Sequence, residues 1–454
     1  MAELHKGFLF RQDSGKSKAI VDRDYDTLSP SYTRSYGFVM DHGEGAEVWD
    51  LDGYKYVDFA AGIAVLSTGH AHPHVIEAIT QQAQKYVHIG ATDFFCPQQV
   101  CLGERLQKIV PIHRADEPSE KLVYLCNSGT EAVEAALKLA RYQSPQRHHV
   151  IGFFGGFHGR TMGSLSVTAS KNTQRKGYHH IPGGVDHIPY PSKFAAEQPD
   201  TMAFYYNPIE YIENFIIERK VPAQEIAAIL VEPIQGEGGY VLPTDDFFVN
   251  LREFCDRHEI LLIADEVQSG IGRSGKWFAL EHWGVAADIV CTAKGLGSGF
   301  PIGAIVTHKD IMSKWKPGAH ASTFGGNPVA CAAANATIDV IENENLLHKV
   351  SQLGDHVLDR LQKFKASHPS VRRVEGKGLM IGIEFANQYG KLSGEFRDHV
   401  VNECFLNGLL TLGAGKSAIR IAPPLVISRE QMDEGLDILE HSIARMEEEH
   451  FHDL

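Results

Sequence analysis

The chain has no long apolar run, no excess of basic charge and no regular cysteine pattern. Each absence removes a class of function. No apolar stretch approaches the ~20 residues that span a bilayer. The opening MAELHKGFLFRQDSGKSK holds too short an apolar patch for a secretory signal. With 57 acidic residues against 43 basic ones the formal charge is −14. Nucleic acid and anionic membranes are therefore not expected as partners, since both need concentrated Lys and Arg. Seven cysteines, an odd number spread over 454 residues, do not make a disulfide framework. Cys96 and Cys101 lack the CxxC spacing of a zinc site, so buried thiols in a reducing, cytoplasmic setting are expected. There is no internal repeat and no low-complexity segment.

What is present is ordinary globular composition, 43% hydrophobic and 22% charged, long enough for two or three domains. The middle of the chain alternates short apolar runs with helix-period stretches, which predicts an α/β domain with a largely parallel sheet. Expected strands are Leu122–Leu125, Val150–Phe154, Ala227–Val231, Leu261–Ala264, Ile289–Thr292 and Ile302–Val306. Helical patterns lie between them, as at Thr130–Arg141 and Phe247–Arg257. Near the start, Asp52-Gly53 punctuates two strand-like runs as in a hairpin. Past about residue 335 the chain is helical, with GKGLMIGIEF and AIRIAPPLV as further strands. Both ends are expected to form one smaller α+β domain, from 1–75 and 335–454, beside a large domain spanning 76–334.

Ligands of open α/β sheets bind outside the carboxyl ends of the strands. Five segments follow expected strands: NSGTEA (127–132), GGFHGR (155–160), EPIQGEGG (232–239), DEVQSGIGR (265–273) and KGLGSG (294–299). All are rich in glycine and polar groups, and all would open onto one edge. Lys294 ends a buried run and is followed by Gly295, Gly297 and Gly299, which would leave room for something bulky against its amine. Ser128, Gly129 and Thr130 open a helix and could cradle a phosphate; the same residues, with Glu131, also suit ordinary N-capping. Asp265 closes an apolar run and would need a cationic partner. Phe157 and His158 offer flat rings at the same edge, although His158 alone would more often be a hydrogen-bonded core histidine. Arg160 and Arg420 suit carboxylates. GLGSGF lacks the third glycine of a dinucleotide fingerprint. His70, His72 and His74 in GHAHPH suit a metal less well than a packing role in a loop.

A phosphate cradle, an aromatic face, a buried acid and a lysine among glycines describe a pyridoxal 5'-phosphate site. The order of VWDLDGYKYVDFAAGIAVLSTGHAHP, VEPIQGEGG, LLIADEVQSGIGRSG, STFGGNP and IRIAPPL resembles the class III (omega) pyridoxal-phosphate aminotransferases of fold type I. It covers nearly the whole chain and is similar to 4-aminobutyrate and acetylornithine aminotransferases. The resemblance implies a large domain with a mainly parallel seven-stranded sheet and a homodimer, or dimer of dimers, with shared sites. It implies that Lys294 carries the cofactor covalently and that Asp265 pairs with the ring nitrogen. Val267 and Phe157 would cover the two ring faces, and Gln268 would approach the ring hydroxyl. Ser128, Gly129 and Thr130 would hold the phosphate together with Thr323 of the neighbouring subunit, while Glu232 supports the site. Arg160 and the Glu237–Arg420 pair would handle substrate carboxylates, with Ile63 lining the pocket. The implied reaction moves an amino group from an omega-amine or amino acid to a 2-keto acid such as 2-oxoglutarate. LSPSYTRSYGFVMDHGEG resembles a subgroup that also holds amino-acid racemases. In those relatives the acid of EPIQGEGG tends to be Asp, so Glu237 favours transamination. Roles for Tyr32, Tyr36 and Phe94 stay open.

Overall fold

A computed structural model gives the arrangement of residues 8–11, 15–178, 180–193 and 207–452. Residues 1–7 and 12–14, part of the opening read above for a signal, lie outside the described residues. Among the described residues no helix is long and apolar enough to cross a membrane.

The first strands are β1 (Met40–Glu44), β2 (Glu47–Asp50) and β3 (Lys55–Asp58), an antiparallel meander. Its second turn falls at Asp52-Gly53, where Asp50 Oδ1 accepts from the backbone N–H of Asp52 and of Tyr54. The central sheet follows with β4 (Lys121–Cys126), β5 (His149–Phe153), β6 (Val185–Ile188), β7 (Ile226–Val231), β8 (Leu261–Asp265), β9 (Ile289–Thr292) and β10 (Gly303–His308). Their spatial order is β4-β10-β9-β8-β7-β5-β6, and only β10 runs antiparallel to its neighbours. All residues of β7 and β9 are buried, which explains their unbroken apolar runs: helices cover both faces of such a sheet. Six strands lie within two residues of their expected limits. The seventh, β6, was not anticipated, because Asp186 and His187 break its apolar pattern and only Ile188 is buried.

Helix Gly129–Tyr142 directs Ala132, Val133, Ala135, Ala136, Leu137, Leu139 and Ala140 inward, and helix Phe247–His258 buries Phe247, Phe248, Leu251 and Phe254. Helix Lys16–Thr27 has no sequence signal. Ser17 is its only buried residue, and its N-cap is a glycine. Its first N–H groups are instead satisfied from a distance by Asp52, at 2.6 Å to Lys16 N and 3.1 Å to Ser17 N.

The C-terminal strands are β11 (Val371–Lys377), β12 (Met380–Phe385), β13 (Leu409–Leu410), β14 (Leu412–Ala414) and β15 (Ala418–Ile421). β11, β12, β15 and β14 form one antiparallel sheet, whereas β13 joins the N-terminal meander alongside β3. That pairing ties the two ends of the chain together. Helix Pro328–Asn343 passes without a break through residues 334 and 335.

Just after β3 the backbone turns the wrong way. Ala61, Gly62, Ile63 and Ala64 have φ of 46°, 61°, 70° and 57°. An L-residue pays roughly 1–2 kcal/mol to sit in this left-handed region, so three of them together need outside support.

Candidate active site

β4, β5, β7, β8 and β9 share one direction, so the five glycine-rich segments meet at one edge. They enclose a cavity of about 270 Å³ lined by Ser128, Gly129, Thr130, Phe157, His158, Gly159, Arg160, Glu232, Asp265, Val267, Gln268 and Lys294. A larger hollow of about 680 Å³, bordered by Asp93, Gln99, Tyr124 and His320, holds no lysine. Convergent chemistry rather than size picks out the smaller cavity.

Lys294 follows β9 with φ at 40°. Burial lowers the pKa of its amine below that of an ordinary lysine; Arg420 acts in the same direction, and Glu237, Glu232 and Asp265 oppose it. The glycines beyond it do not leave space for a ligand, as the sequence suggested. A Cβ at Gly295 would stand 2.5 Å from Ser67 Oγ, and one at Gly297 would stand 2.4 Å from the Phe300 carbonyl oxygen. Other parts of the chain occupy that space.

Asp265 ends β8 and is 4% exposed. Its Oδ1 accepts from Val267 N at 3.1 Å, and its Oδ2 lies 2.7 Å from His158 Nδ1. His158 is thus the hydrogen-bonded buried histidine expected of it, with the acid as its partner. Glu232, just past β7, accepts from Phe157 N and Gly236 N at 3.0 and 3.1 Å. Burial pushes its carboxyl up to about 7, against the charge of His158 and those two N–H groups.

Ser128 caps helix Gly129–Tyr142, its Oγ accepting from Glu131 N at 3.3 Å, so capping and a cradle share one residue. Thr130 Oγ1 lies 2.7 Å from Ser164 Oγ. A Cβ at Gly129 would come within 2.7 Å of Val267 Cγ1. Gln268 accepts from the hydroxyl of Tyr240 at 2.8 Å. Tyr240 is a buried residue that the sequence reading missed; EGGY offered only a turn signal. Arg160 is exposed, with its guanidinium 5.7 Å from the Phe157 ring.

Beside the cavity, Arg420 Nη1 donates to Glu237 Oε1 at 2.7 Å and Nη2 to the Gly413 carbonyl at 2.8 Å. Burial raises the Glu237 carboxyl, but the Arg420 charge outweighs it and leaves the group below the usual carboxylate range. Lys171, also missed, is close enough for its charge to interact with Glu237, Arg420 and Arg160. Ile63 and Thr323 do not line the cavity: Ile63 is 44% exposed in the left-handed turn, and Thr323 is exposed. Tyr36 lies under the small sheet, with its hydroxyl on the Thr411 carbonyl at 3.0 Å, whereas Tyr32 and Phe94 are exposed. His70, His72 and His74 separate onto Asp58, Glu344 and Asp339 at 2.8, 3.1 and 3.1 Å. Six cysteines are buried, but Cys101 is exposed, because it points outward from helix Pro97–Ile109.

These groups fit a phosphorylated pyridine. The Asp265 carboxylate has lone pairs left after its two bonds and can accept a ring N–H. Val267 and Phe157 offer flanking surfaces, and the start of helix Gly129–Tyr142 offers backbone N–H groups to an anion. A mainly parallel seven-stranded sheet with this set at its strand ends defines a fold type I pyridoxal-phosphate enzyme. The chain belongs to the class III aminotransferases, whose family model, Aminotransferase class-III, matches residues 28–443. It is 37% identical to acetylornithine aminotransferase of Methanothermobacter thermautotrophicus over 94% of this chain and 99% of that protein. It is 34% identical to alanine/serine racemase of Pyrococcus horikoshii over 94% of this chain and 90% of that one. Among solved structures, ornithine aminotransferase from Toxoplasma gondii superposes with a TM-score of 0.83 at 29% identity, over 96% of this chain and 97% of that chain. The protein is a pyridoxal 5'-phosphate-dependent aminotransferase, with amino acids and keto acids as its substrates.

Proposed function

We propose that this cavity takes an amino group from an omega-amine or amino acid of the 4-aminobutyrate or ornithine kind and delivers it to a 2-keto acid such as 2-oxoglutarate, in two half-reactions of a ping-pong cycle. The observation that carries the reading is the Glu237–Arg420 pair at 2.7 Å beside Lys294. A cation masked by a movable acid lets one pocket accept a substrate with no carboxylate on the reacting carbon and then one that has it.

The bound cofactor supplies an aldehyde carbon that condenses with amines and a ring that withdraws electrons from the substrate carbon. Lys294 Nζ would hold it covalently and, when free, would act as the base that moves the proton at the substrate carbon. Its lowered pKa favours the neutral amine this step needs, and a placed base contributes roughly 10²–10⁴-fold. Asp265 would keep the ring nitrogen protonated, and His158 orients Asp265. Ser128, Gly129 and Thr130 would hold the phosphate, Val267, Phe157 and Gln268 would contact the ring, and Glu232 steadies Phe157 and Gly236. Arg160 takes the carboxylate shared by the substrates. Thr323 completes the phosphate site of a second subunit, in a homodimer or dimer of dimers working in the cytoplasm. On the same reading residues 1–75 and 335–454 form the smaller domain around the 76–334 core, with helix Pro328–Asn343 spanning the junction.

A racemase is the second reading, favoured by the likeness to an alanine/serine racemase. Racemisation presents one carboxylate throughout and has no use for a second, maskable guanidinium, so transamination is preferred. Incubation with a panel of amines and either 2-oxoglutarate or pyruvate, with chiral analysis of the amino acid recovered, separates the two. Borohydride reduction should fix the cofactor to the Lys294 peptide. A label on another lysine removes the role of Lys294, and racemisation without a new keto acid removes transamination.

A further inference from the structure

Tyr240 is fully buried and has φ of 56°, a left-handed backbone that a bulky residue adopts only under constraint. The constraint comes from three sides. The loop after β7 folds back on itself, with Gln235 N donating to the Val241 carbonyl and Val241 N to the Gln235 carbonyl, both at 3.1 Å. Arg373 Nη1 and Nη2 donate to the carbonyls of Tyr240 and Gly239 at 3.2 and 3.0 Å. In β12, Gly382 makes room for this backbone, since a Cβ there would stand 2.9 Å from Tyr240 Cβ. The ring packs in one apolar cluster with Ile234, Met380 and Ala422.

All of this delivers one hydroxyl to one place. Tyr240 Oη donates to Gln268 Oε1 at 2.8 Å. Gln268 lines the cavity together with Lys294, whereas Tyr240 does not. The Arg420 guanidinium lies 5.9 Å from the Tyr240 ring. Burial raises the Tyr240 phenol, while the charges of Arg420 and Arg273 pull it the other way. Guanidinium groups only donate, so beside them the phenol oxygen serves as acceptor and its proton is left for Gln268 Oε1. The two ends of the amide are thereby told apart. Its oxygen meets Tyr240, and Nε2 has no hydrogen-bond partner among the described residues. Gly236 carries no side chain where a Cβ would collide with that nitrogen.

We propose that Tyr240 is a positioning residue for the cofactor. Its hydroxyl holds the oxygen of Gln268 and so leaves the amide N–H groups as the donor that Gln268 offers to the ring oxygen. The inference rests on the seating of pyridoxal phosphate in this cavity, and it applies whether the enzyme transaminates or racemises. An N–H at the ring oxygen stabilises its anionic form, which then holds the proton shared with the Lys294 nitrogen less tightly. A flipped amide would present its own oxygen instead and act in the opposite direction.

The test reads the pH midpoint of the visible absorbance of the holoenzyme, which reports that proton and not turnover. Tyr240→Phe removes the hydroxyl and keeps the ring in its packing. It should raise the midpoint by about 0.5 pH or more, because the amide is no longer held with its N–H groups toward the ring. Gln268→Leu removes the donor itself and should raise the midpoint at least as far. In the Gln268→Leu background, Tyr240→Phe should move it by less than about 0.2 pH, since the amide it positions is gone. If Tyr240→Phe does not accumulate, Tyr240→Met, apolar and flexible enough to fill the space, replaces it with the same expectation. A midpoint unmoved by Tyr240→Phe or by Gln268→Leu, or a full-sized Tyr240→Phe shift in the Gln268→Leu background, would overturn the proposal. A wild type whose Lys294 takes no label on borohydride reduction would overturn the reading of the cavity, and the proposal with it. A labelled wild type whose midpoint ignores Tyr240 would overturn the proposal alone.

Discussion

Replacing Glu237 with Gln keeps the size of the side chain and removes one charge from the pair with Arg420. The pair is largely desolvated, with side-chain exposures of 5% for Arg420 and 18% for Glu237. Stripping one partner from a fully buried pair costs about 3–5 kcal/mol, because the remaining charge is left uncompensated. Two features soften this. Gln still offers an oxygen to Arg420 Nη1, and the Gly413 carbonyl still accepts from Nη2. The expected loss of stability in the ligand-free enzyme is therefore about 2–3 kcal/mol. The same change should favour a dicarboxylic keto acid, which no longer has to displace a carboxylate from the guanidinium. A preference of only ~1.4 kcal/mol corresponds to a tenfold tightening. Turnover of a terminal-amine donor, which has no carboxylate on the reacting carbon, should fall, because it now faces an unmasked cation. Urea unfolding with and without the dicarboxylate measures the first two effects, and single-turnover absorbance of each half-reaction measures the third. If both half-reactions weaken equally and dicarboxylate affinity does not move, Glu237 is a structural acid and the switch is wrong.

Asp265→Asn should keep the fold but cut the single-turnover rate by at least roughly tenfold to a hundredfold, the equivalent of one charge-assisted hydrogen bond of about 1.5–3 kcal/mol; near-normal turnover would remove the acid from the mechanism. Glu266 is fully buried, and burial raises its carboxyl to about 7 from an ordinary 4.5. Between those values the folded state holds the proton that the unfolded state has released, so this group's contribution to stability is lost as pH rises through that window. Glu266→Gln should flatten the fall in urea stability between about pH 5 and 7, and an unchanged slope would show that the carboxyl is already ionised there. Mixing inactive Lys294→Ala with Thr323→Ala subunits should restore part of the activity, because some hybrids hold one intact site; a monomer that retains its cofactor would contradict the shared site.

The candidate site was legible where one residue type sat at one recognisable kind of place. Lys294, Asp265 and Glu232 each end or follow a short apolar run, and the parallel sheet brings such ends together. Ser128, Gly129 and Thr130 open a helix whose periodicity is plain in AVEAALKLA. Helix Lys16–Thr27 was illegible because its cap, Asp52, is supplied by a hairpin more than thirty residues away. β6 was missed because an edge strand with one buried residue has no apolar pattern to show. Tyr240 and Lys171 lie in loops, where burial and charge contact depend on what folds over them.

By itself the sequence determined the α/β class, the strand ends that carry the chemistry and the lysine that could hold a cofactor, since all of these follow from local periodicity and from residues adjacent in the chain. Only the tertiary structure decided which groups meet. It placed His158 on Asp265, Arg420 on Glu237 across 183 residues, and Ser67 against Gly295, so that the glycines after Lys294 admit protein rather than ligand. It also set four residues in a left-handed turn. No local propensity favours that conformation; it persists because Asp58, held by His70, binds the two N–H groups at its start.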